Sequence, residues 1–254
     1  MDAQATVTVV TGAASGMGRA ISERLAAKSA PVVAVDRSDE LLTWTPAHPS
    51  VVPLIADIAT EEGNAAMVAT ATELFGGVDA AVLNAGISVF GSLEAMPLDD
   101  IDRLWSINLR GVILGLRAVL PAMRLRGGGA VVATSSIGGL YSDPSMPVYC
   151  ATKAAVISVV KSVALQVGHE GIRVNAVCPG PIRDTGMSRG LDVDSPSTFA
   201  KLADGAALRR WGTADEIAAT MEFLLSPDAS YITGTTIVVD GGTIAGAVPP
   251  RRRS

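Results

Sequence analysis

Tyr149 and Lys153 stand four residues apart in a stretch with helical patterning, so their side chains emerge on one face, one turn apart. An ammonium so placed favours the phenolate and draws the tyrosine pKa from about 10 towards neutrality, as acid/base work requires. Just upstream, Ser135 and Ser136 end a β-branched run, Ala130 to Thr134, and bring hydroxyls to the same edge. Cys150 is rotated off the Tyr149 face by about 100° of helix and is read as packing.

A second constellation lies near the start of the chain. Thr11-Gly12-Ala13-Ala14-Ser15-Gly16-Met17-Gly18 directly follows the run Thr6 to Val10 and opens a helical segment. A dinucleotide needs such a turn, because backbone N–H groups at a helix N-terminus reach a pyrophosphate only where no side chain intervenes. Gly12, Ser15, Gly16, Met17 and Gly18 are the candidate contacts. Asp36 ends the next run, Val32 to Asp36, where a carboxylate can accept hydrogen bonds from both adenosine ribose hydroxyls. That favours NAD. A 2′-phosphate would meet the charge of Asp36, which Arg37 could partly offset, so NADP is the alternative. Asp57, with Ile58 beside it, follows the third run and either faces the adenine or caps its own loop. Asn84-Ala85-Gly86 ends the fourth, its small residues letting a cofactor lie across the sheet edge.

The elements that would position these residues alternate. Strand candidates are Thr6 to Val10, Val32 to Asp36, Val51 to Ile55, Asp79 to Leu83, Ala130 to Thr134, Ile172 to Cys178 and Thr236 to Val239. Between them Gly18 to Ser29, Glu61 to Phe75, Leu98 to Arg126, Val148 to Glu170 and Ala214 to Leu225 read as helices. After Asp36, Pro46 and Pro49 leave room only for a short helix, Ser38 to Trp44. This rhythm predicts a single α/β domain over 1–254: a Rossmann-like, doubly wound parallel sheet of about seven strands with helices on both faces. Segment 188–208 reads as a substrate lid and 245–254 as a C-terminal tail, with Arg251 to Arg253 solvated.

Composition narrows the function classes. The chain has 254 residues, 48% of them apolar, and a formal charge of -5. With 4% aromatic residues and no basic face it lacks the means of a nucleic-acid binder. Uncharged stretches are broken by Pro or Gly before reaching the length of a membrane span, and Asp2 stands where a leader would be basic. A cytoplasmic protein with two buried, reduced thiols, Cys150 and Cys178, is expected; no Cys/His cluster has metal spacing. His48 and His169 are assigned no catalysis.

In order along nearly the whole chain, Thr11 to Gly18, Asp57, Asn84-Ala85-Gly86, Asn108, Ser136, Tyr149 with Lys153, Asn175, Pro179-Gly180, and Thr233-Gly234 with Asp240-Gly241-Gly242 resemble the short-chain dehydrogenase/reductase family in its compact single-domain form. The resemblance implies that Tyr149 is the acid/base and that Ser136, rather than Ser135, holds the substrate oxygen. It implies that Lys153 binds the nicotinamide ribose and tunes Tyr149, while Asn108 kinks its helix and holds a water linking Lys153 to solvent. Pro179-Gly180-Pro181-Ile182 would support the nicotinamide carboxamide, with the Ile182 backbone as partner. The family's threonine position is taken by Asp184, so that role passes to Thr185; Leu83 and the short segment after Asp36 also depart from the pattern.

The implied activity is metal-free, NAD(H)-dependent, reversible hydride transfer between a secondary alcohol and its ketone, by an NAD(P)-dependent alcohol dehydrogenase or ketoreductase. The alternatives are an NADPH-dependent reductase of 3-oxoacyl thioesters or ketones and, from another class, a non-catalytic nucleotide-sensing module. The latter would be expected to have lost Tyr149 or Lys153. The family also implies a homotetramer built through the two long helices and the C-terminal segment. Pocket walls are expected from Ile87, Ser88, Ile137, Gly138, Met146, Met187 and parts of 188–208, around Ser136 and Tyr149. They are mostly apolar, which favours a hydrophobic or cyclic alcohol.

Overall fold

The computed structural model describes residues 6–183, 185–186 and 203–247. β-Branched runs too short and too apolar for surface helices pair side by side into seven parallel strands. They are β1 (Thr8–Thr11), β2 (Val32–Asp36), β3 (Val51–Ile55), β4 (Ala80–Leu83), β5 (Gly129–Thr134), β6 (Ile172–Pro179) and β7 (Thr236–Val239). Their order, β3-β2-β1-β4-β5-β6-β7, reverses between β1 and β4. A parallel sheet opens a crevice at the carboxyl ends of its strands at such a switch point. The expected Rossmann-like, doubly wound sheet is therefore what forms, with strand ends within two residues of their expected positions.

Helices cover both faces. On one, α1 (Gly16–Ala26), α2 (Leu41–Trp44) and α7 (Ala214–Leu225) enclose a core that includes Val10, Ile21, Ala34, Val132, Ile217 and Met221. On the other, α3 (Glu61–Phe75), α5 (Gly111–Arg126) and α6 (Pro147–Val167) cover Val9, Val33, Ala81, Val131 and Val174. Thr60 caps α3 by accepting from the Gly63 N–H. Thr213 and Glu216 form a reciprocal capping box at α7, and Arg210 grips the same carboxylate, holding it down at about 2.

Two helical expectations are corrected. Leu98 to Arg126 is not one α-helix: α4 (Leu98–Trp105) passes through a π-helical turn, Ser106–Arg110, into α5. The apolar pattern runs on unbroken, but the buried Asn108 amide is tied to the backbone of Ile87, whose N–H it accepts at 2.8 Å and whose carbonyl it donates to at 2.9 Å. Meeting that fixed loop widens the turn. The short helix after β2 begins at Leu41 rather than Ser38, because the Ser38 N–H donates to Asp36 and its hydroxyl accepts from the Glu40 N–H. A 3-10 turn, Thr45–Ala47, then carries Pro46 into β3.

By length and composition alone Leu98–Arg126 and Pro147–Glu170 could cross a membrane, against the expectation that no segment would. About half of each (44% and 50%) is packed inside the fold, as for helices sandwiched between a sheet and its surroundings. Both cysteines are buried and free. Of the expected lid, 188–202 lies outside the described residues, as do Met187, 248–254 of the tail and Arg251 to Arg253. The described end of the expected lid segment, 203–208, packs on the turn after β7, where the Leu208 N–H donates to the Gly241 carbonyl.

Far from the crevice, Asp79 ties three elements together. Its Oδ1 and Oδ2 accept from the Arg126 guanidinium at 2.7 and 3.1 Å, and Oδ2 also takes the Val7 N–H at 2.8 Å. We expect Asp79→Ala to orphan both donors and to lower unfolding free energy by about 2–3 kcal/mol in urea denaturation. A loss under about 0.5 kcal/mol would show this clamp to be dispensable.

Candidate active site

The crevice begins at the turn between β1 and α1. Gly12 and Gly16 have φ of +68° and +54°, which disfavour any side chain. A Cβ on Gly12 would stand 2.8 Å from the Ala85 Cα, and one on Gly18 would overlap the Gly12 carbonyl. The turn thus folds against Asn84-Ala85 so closely that only glycine fits. Gly12, Ser15, Gly16 and Met17, together with Asp36, Asn84, Ala85 and Gly86, line a cavity of about 500 Å³. It continues into a niche of about 110 Å³ bounded by Asp36, Arg37, Asp57, Ile58 and Ile107. A glycine cradle leading to a carboxylate and then to a narrow niche between Arg37, Asp57 and Ile58 fits the phosphates, ribose and flat base of a dinucleotide.

Asp36 is fixed in place: Oδ2 accepts from the Ala14 N–H and Oδ1 from the Ser38 N–H, each at 3.0 Å. Asp57 Oδ1 caps its own loop by accepting from the Ala59 N–H at 2.9 Å, and the residue also lines the niche. Asn84 knits the strand ends. Its Nδ2 donates to the Thr11 and Gly12 carbonyls at 3.2 and 3.4 Å, and its Oδ1 accepts from the Thr134 hydroxyl at 3.1 Å.

On the other side of Asn84 opens a second cavity, of about 340 Å³, lined by Ser136, Ile137, Gly138, Met146, Tyr149, Lys153, Pro179, Gly180, Ile182 and Thr185, among others. Met17, Asn84, Ser88, Phe90 and Thr185 line both large cavities, which makes them one crevice. Thr185 sits across from Gly16, whose missing Cβ would stand 3.4 Å away. The Ile182 side chain is buried under Gly212, to which its backbone is bridged.

The two serines part company here. Ser135 Oγ donates to the Lys153 carbonyl at 2.8 Å and is spent on holding β5 to α6. Ser136 Oγ accepts from the Gly138 N–H at 3.1 Å and faces the Tyr149 phenol, whose pKa it pulls down. Burial nevertheless dominates and pushes Tyr149 up to about 12. The expectation that Lys153 depresses it is not met. The Lys153 ammonium lies 5.8 Å from the phenol ring centroid and gives a hydrogen bond to the Thr134 carbonyl at 3.0 Å, and burial lowers its own pKa to about 8.

Asn108, buried on the π-helical turn, also donates to the Thr152 hydroxyl at 3.2 Å, and that hydroxyl donates to the Tyr149 carbonyl. Its amide is thereby engaged by the chain itself. Ile87 belongs with the cofactor side of the crevice rather than with the substrate walls, its backbone being held by Asn108. Sequence reasoning missed Phe90, Tyr141 and Asp143, which also line the second cavity. They sit on loops after β4 and β5, and that position alone, at the carboxyl edge beside a switch point, could have flagged them.

The family model described as Enoyl-(Acyl carrier protein) reductase matches residues 12–243. The 2-(R)-hydroxypropyl-CoM dehydrogenase of Xanthobacter autotrophicus is 38% identical over 94% of this chain and 98% of its own. Levodione reductase of Leifsonia aquatica is 38% identical over 94% of each chain. A solved levodione reductase structure superposes with a TM-score of 0.88 at 37% identity, covering 95% of this chain and 98% of that one. A Burkholderia thailandensis oxidoreductase of the short-chain dehydrogenase/reductase family also gives 0.88, at 32% identity over 96% and 94%.

The chain belongs to the short-chain dehydrogenase/reductase family. It is an oxidoreductase of a family that uses nicotinamide cofactors and acts on small molecules. Within that family its buried Lys153 makes a prediction about stability. Below pH 8 the folded chain must carry a desolvated ammonium. Between pH 8 and the ordinary value of 10.5 the unfolded chain keeps a proton that the folded chain has released, so this residue's contribution to stability rises with pH. Tyr149 acts oppositely and higher: its contribution is present below 10 and is lost as pH rises through about 12. Lys153→Met should therefore raise stability at pH 7 by about 1–3 kcal/mol, and the gain should shrink by pH 10 in calorimetric melts. An equal gain at both pH values would refute the depressed lysine.

Proposed function

We propose that the protein is an NAD(H)-dependent alcohol dehydrogenase/ketoreductase that interconverts a secondary alcohol and its ketone. The observation that carries this reading is the Tyr149 phenol facing the Ser136 hydroxyl, on the wall of a cavity continuous with the glycine cradle. A bound nicotinamide supplies or accepts the hydride. In reduction the Tyr149 Oη proton passes to the substrate oxygen as the carbonyl carbon takes up hydride; oxidation is the reverse and needs Tyr149 as the phenolate, the form that burial disfavours. Ser136 holds the reacting oxygen beside Tyr149. Lys153 holds the nicotinamide ribose and keeps positive charge near the phenol, and Asn108 positions the Ile87 loop and, through Thr152, the start of α6.

Gly12, Ser15, Gly16, Met17 and Gly18 receive the pyrophosphate, Asp36 the adenosine ribose, and Arg37, Asp57 and Ile58 the adenine. Asn84, Ala85 and Gly86 form the floor, and Pro179, Gly180, Ile182 and Thr185 hold the nicotinamide end. Substrate meets Ile137 and Met146. Asp36 is the reason for choosing NAD over NADP: its carboxylate is already aimed by two backbone donors and would repel a 2′-phosphate. The protein works in the cytoplasm, without metal, nucleic acid or membrane. It assembles as a homotetramer through α4, α5 and α6, whose Leu125 and Leu165 are 90% and 87% exposed in the single chain.

Fluorescence titration should show NADH binding at least tenfold tighter than NADPH, about 1.4 kcal/mol, with Asp36→Ser erasing the difference. Tighter NADPH binding by the unmodified protein would reverse the choice and favour a reductase of ketones or 3-oxoacyl thioesters. Tyr149→Phe should cut turnover at least about 10²-fold while NADH binding is retained; near-normal turnover would overturn the acid/base role.

A further inference from the structure

The second cavity bears on what enters it, given the oxidoreductase reading above. Its 340 Å³ must house the nicotinamide end of the cofactor, against Pro179 and Gly180, as well as the substrate. Pockets for drug-sized ligands run from about 300 to 1,000 Å³, so what is left suits a molecule the size of a single ring or a short branched chain. Phe90, Ile137, Met146, Pro181 and Trp211 make its walls apolar.

Among the described lining residues only Lys153 and Asp143 carry charge. Lys153 is 1% exposed and its ammonium is turned to the Thr134 carbonyl. Asp143 is the charge a substrate would meet. It lies on the loop before α6, where Oδ1 accepts from the Ser145 N–H at 2.8 Å and the Ser145 hydroxyl at 2.7 Å, fixing the carboxylate at the cavity wall. Among the described residues no Lys, Arg or His forms an ion pair with it. Its field is felt locally, since burial and then the Asp143 charge push the neighbouring Tyr141 phenol up. In the other half of the crevice, Arg103 looks onto the glycine cradle. There Arg103 is paired with Asp100, and the Asp36 carboxylate lines the same half.

We propose that Asp143 is a specificity-determining residue that confines the site to small, uncharged, largely apolar ketones and secondary alcohols and turns away carboxylates, phosphates and sulfonates. A carboxylate brought beside the half-exposed Asp143 carboxylate is repelled in both the ground state and the transition state, so the discrimination falls on KM.

The experiment compares 4-oxocyclohexanecarboxamide with the isosteric 4-oxocyclohexanecarboxylate, each reduced with saturating NADH. The native protein should favour the carboxamide at least about tenfold in kcat/KM, through KM, and the gap should narrow at about 1 M salt, where the Debye length falls to about 3 Å. Asp143→Asn and Asp143→Ser should each raise the carboxylate-to-carboxamide ratio at least about fivefold. Equal kcat/KM for the two ketones in the native protein, or a ratio unmoved by both substitutions, overturns the proposal. A loss shared equally by both ketones marks Asp143 as merely structural and overturns it too. If the protein binds NADH but reduces neither these ketones nor cyclohexanone, the alcohol/ketone reading itself fails.

Discussion

Everything at the carboxyl edge of the sheet hangs on how closely the glycine turn lies against the end of β4. Gly18 packs on the Gly12 carbonyl, Gly12 on Ala85, and the Asn84 amide reaches back to the carbonyls of Thr11 and Gly12. The same amide accepts from the Thr134 hydroxyl, and the Thr134 carbonyl receives the Lys153 ammonium. One chain of hydrogen bonds therefore runs from the cradle that fits a pyrophosphate to the lysine beside Tyr149. Its members are buried in a low-dielectric interior, where each bond is stronger and each loss dearer. The site is consequently one connected unit built across the ends of β1, β4 and β5, the turns that follow them, and α6.

Burial moves the titrations of Tyr149 and Lys153 in opposite directions from their ordinary values. Burial keeps the phenol protonated well above its ordinary value and weakens the hold of the lysine on its proton. Both shifts have one cause, since burial disfavours the charged form of each group. The neutral phenol is therefore favoured, whereas the ammonium is carried at a cost in stability.

What could be read from residues alone followed from local chemistry. The glycine turn, the carboxylate at the end of β2 and the Tyr149–Lys153 spacing are dictated within a few residues of themselves, and all of them face the crevice. Where long-range contacts decide, the sequence is silent. The π-helical turn is invisible in an unbroken apolar pattern, because its cause is the Ile87 loop twenty-one residues upstream of Asn108. Residue type does not separate Ser135 from Ser136; the family resemblance favours Ser136, and the Lys153 carbonyl takes up the Ser135 hydroxyl. The direction of the Tyr149 shift depends on burial depth, which helical spacing does not report. Asp143 and Tyr141 lie in a loop without periodicity, so neither pattern nor motif singles them out.

The widened turn also constrains how this chain can vary. A π-helical turn holds one residue more than the α-helix it interrupts, so it behaves as an insertion that the fold has absorbed. Deleting one residue between Ser106 and Arg110 would let α4 and α5 fuse into a regular helix with the two flanks nearly in their present register, because the wide turn absorbs its extra residue. What such a deletion removes is the turn itself, which sets Asn108 against the backbone of Ile87. The extra residue thus serves the side chain the turn presents, not the course of the helices on either side.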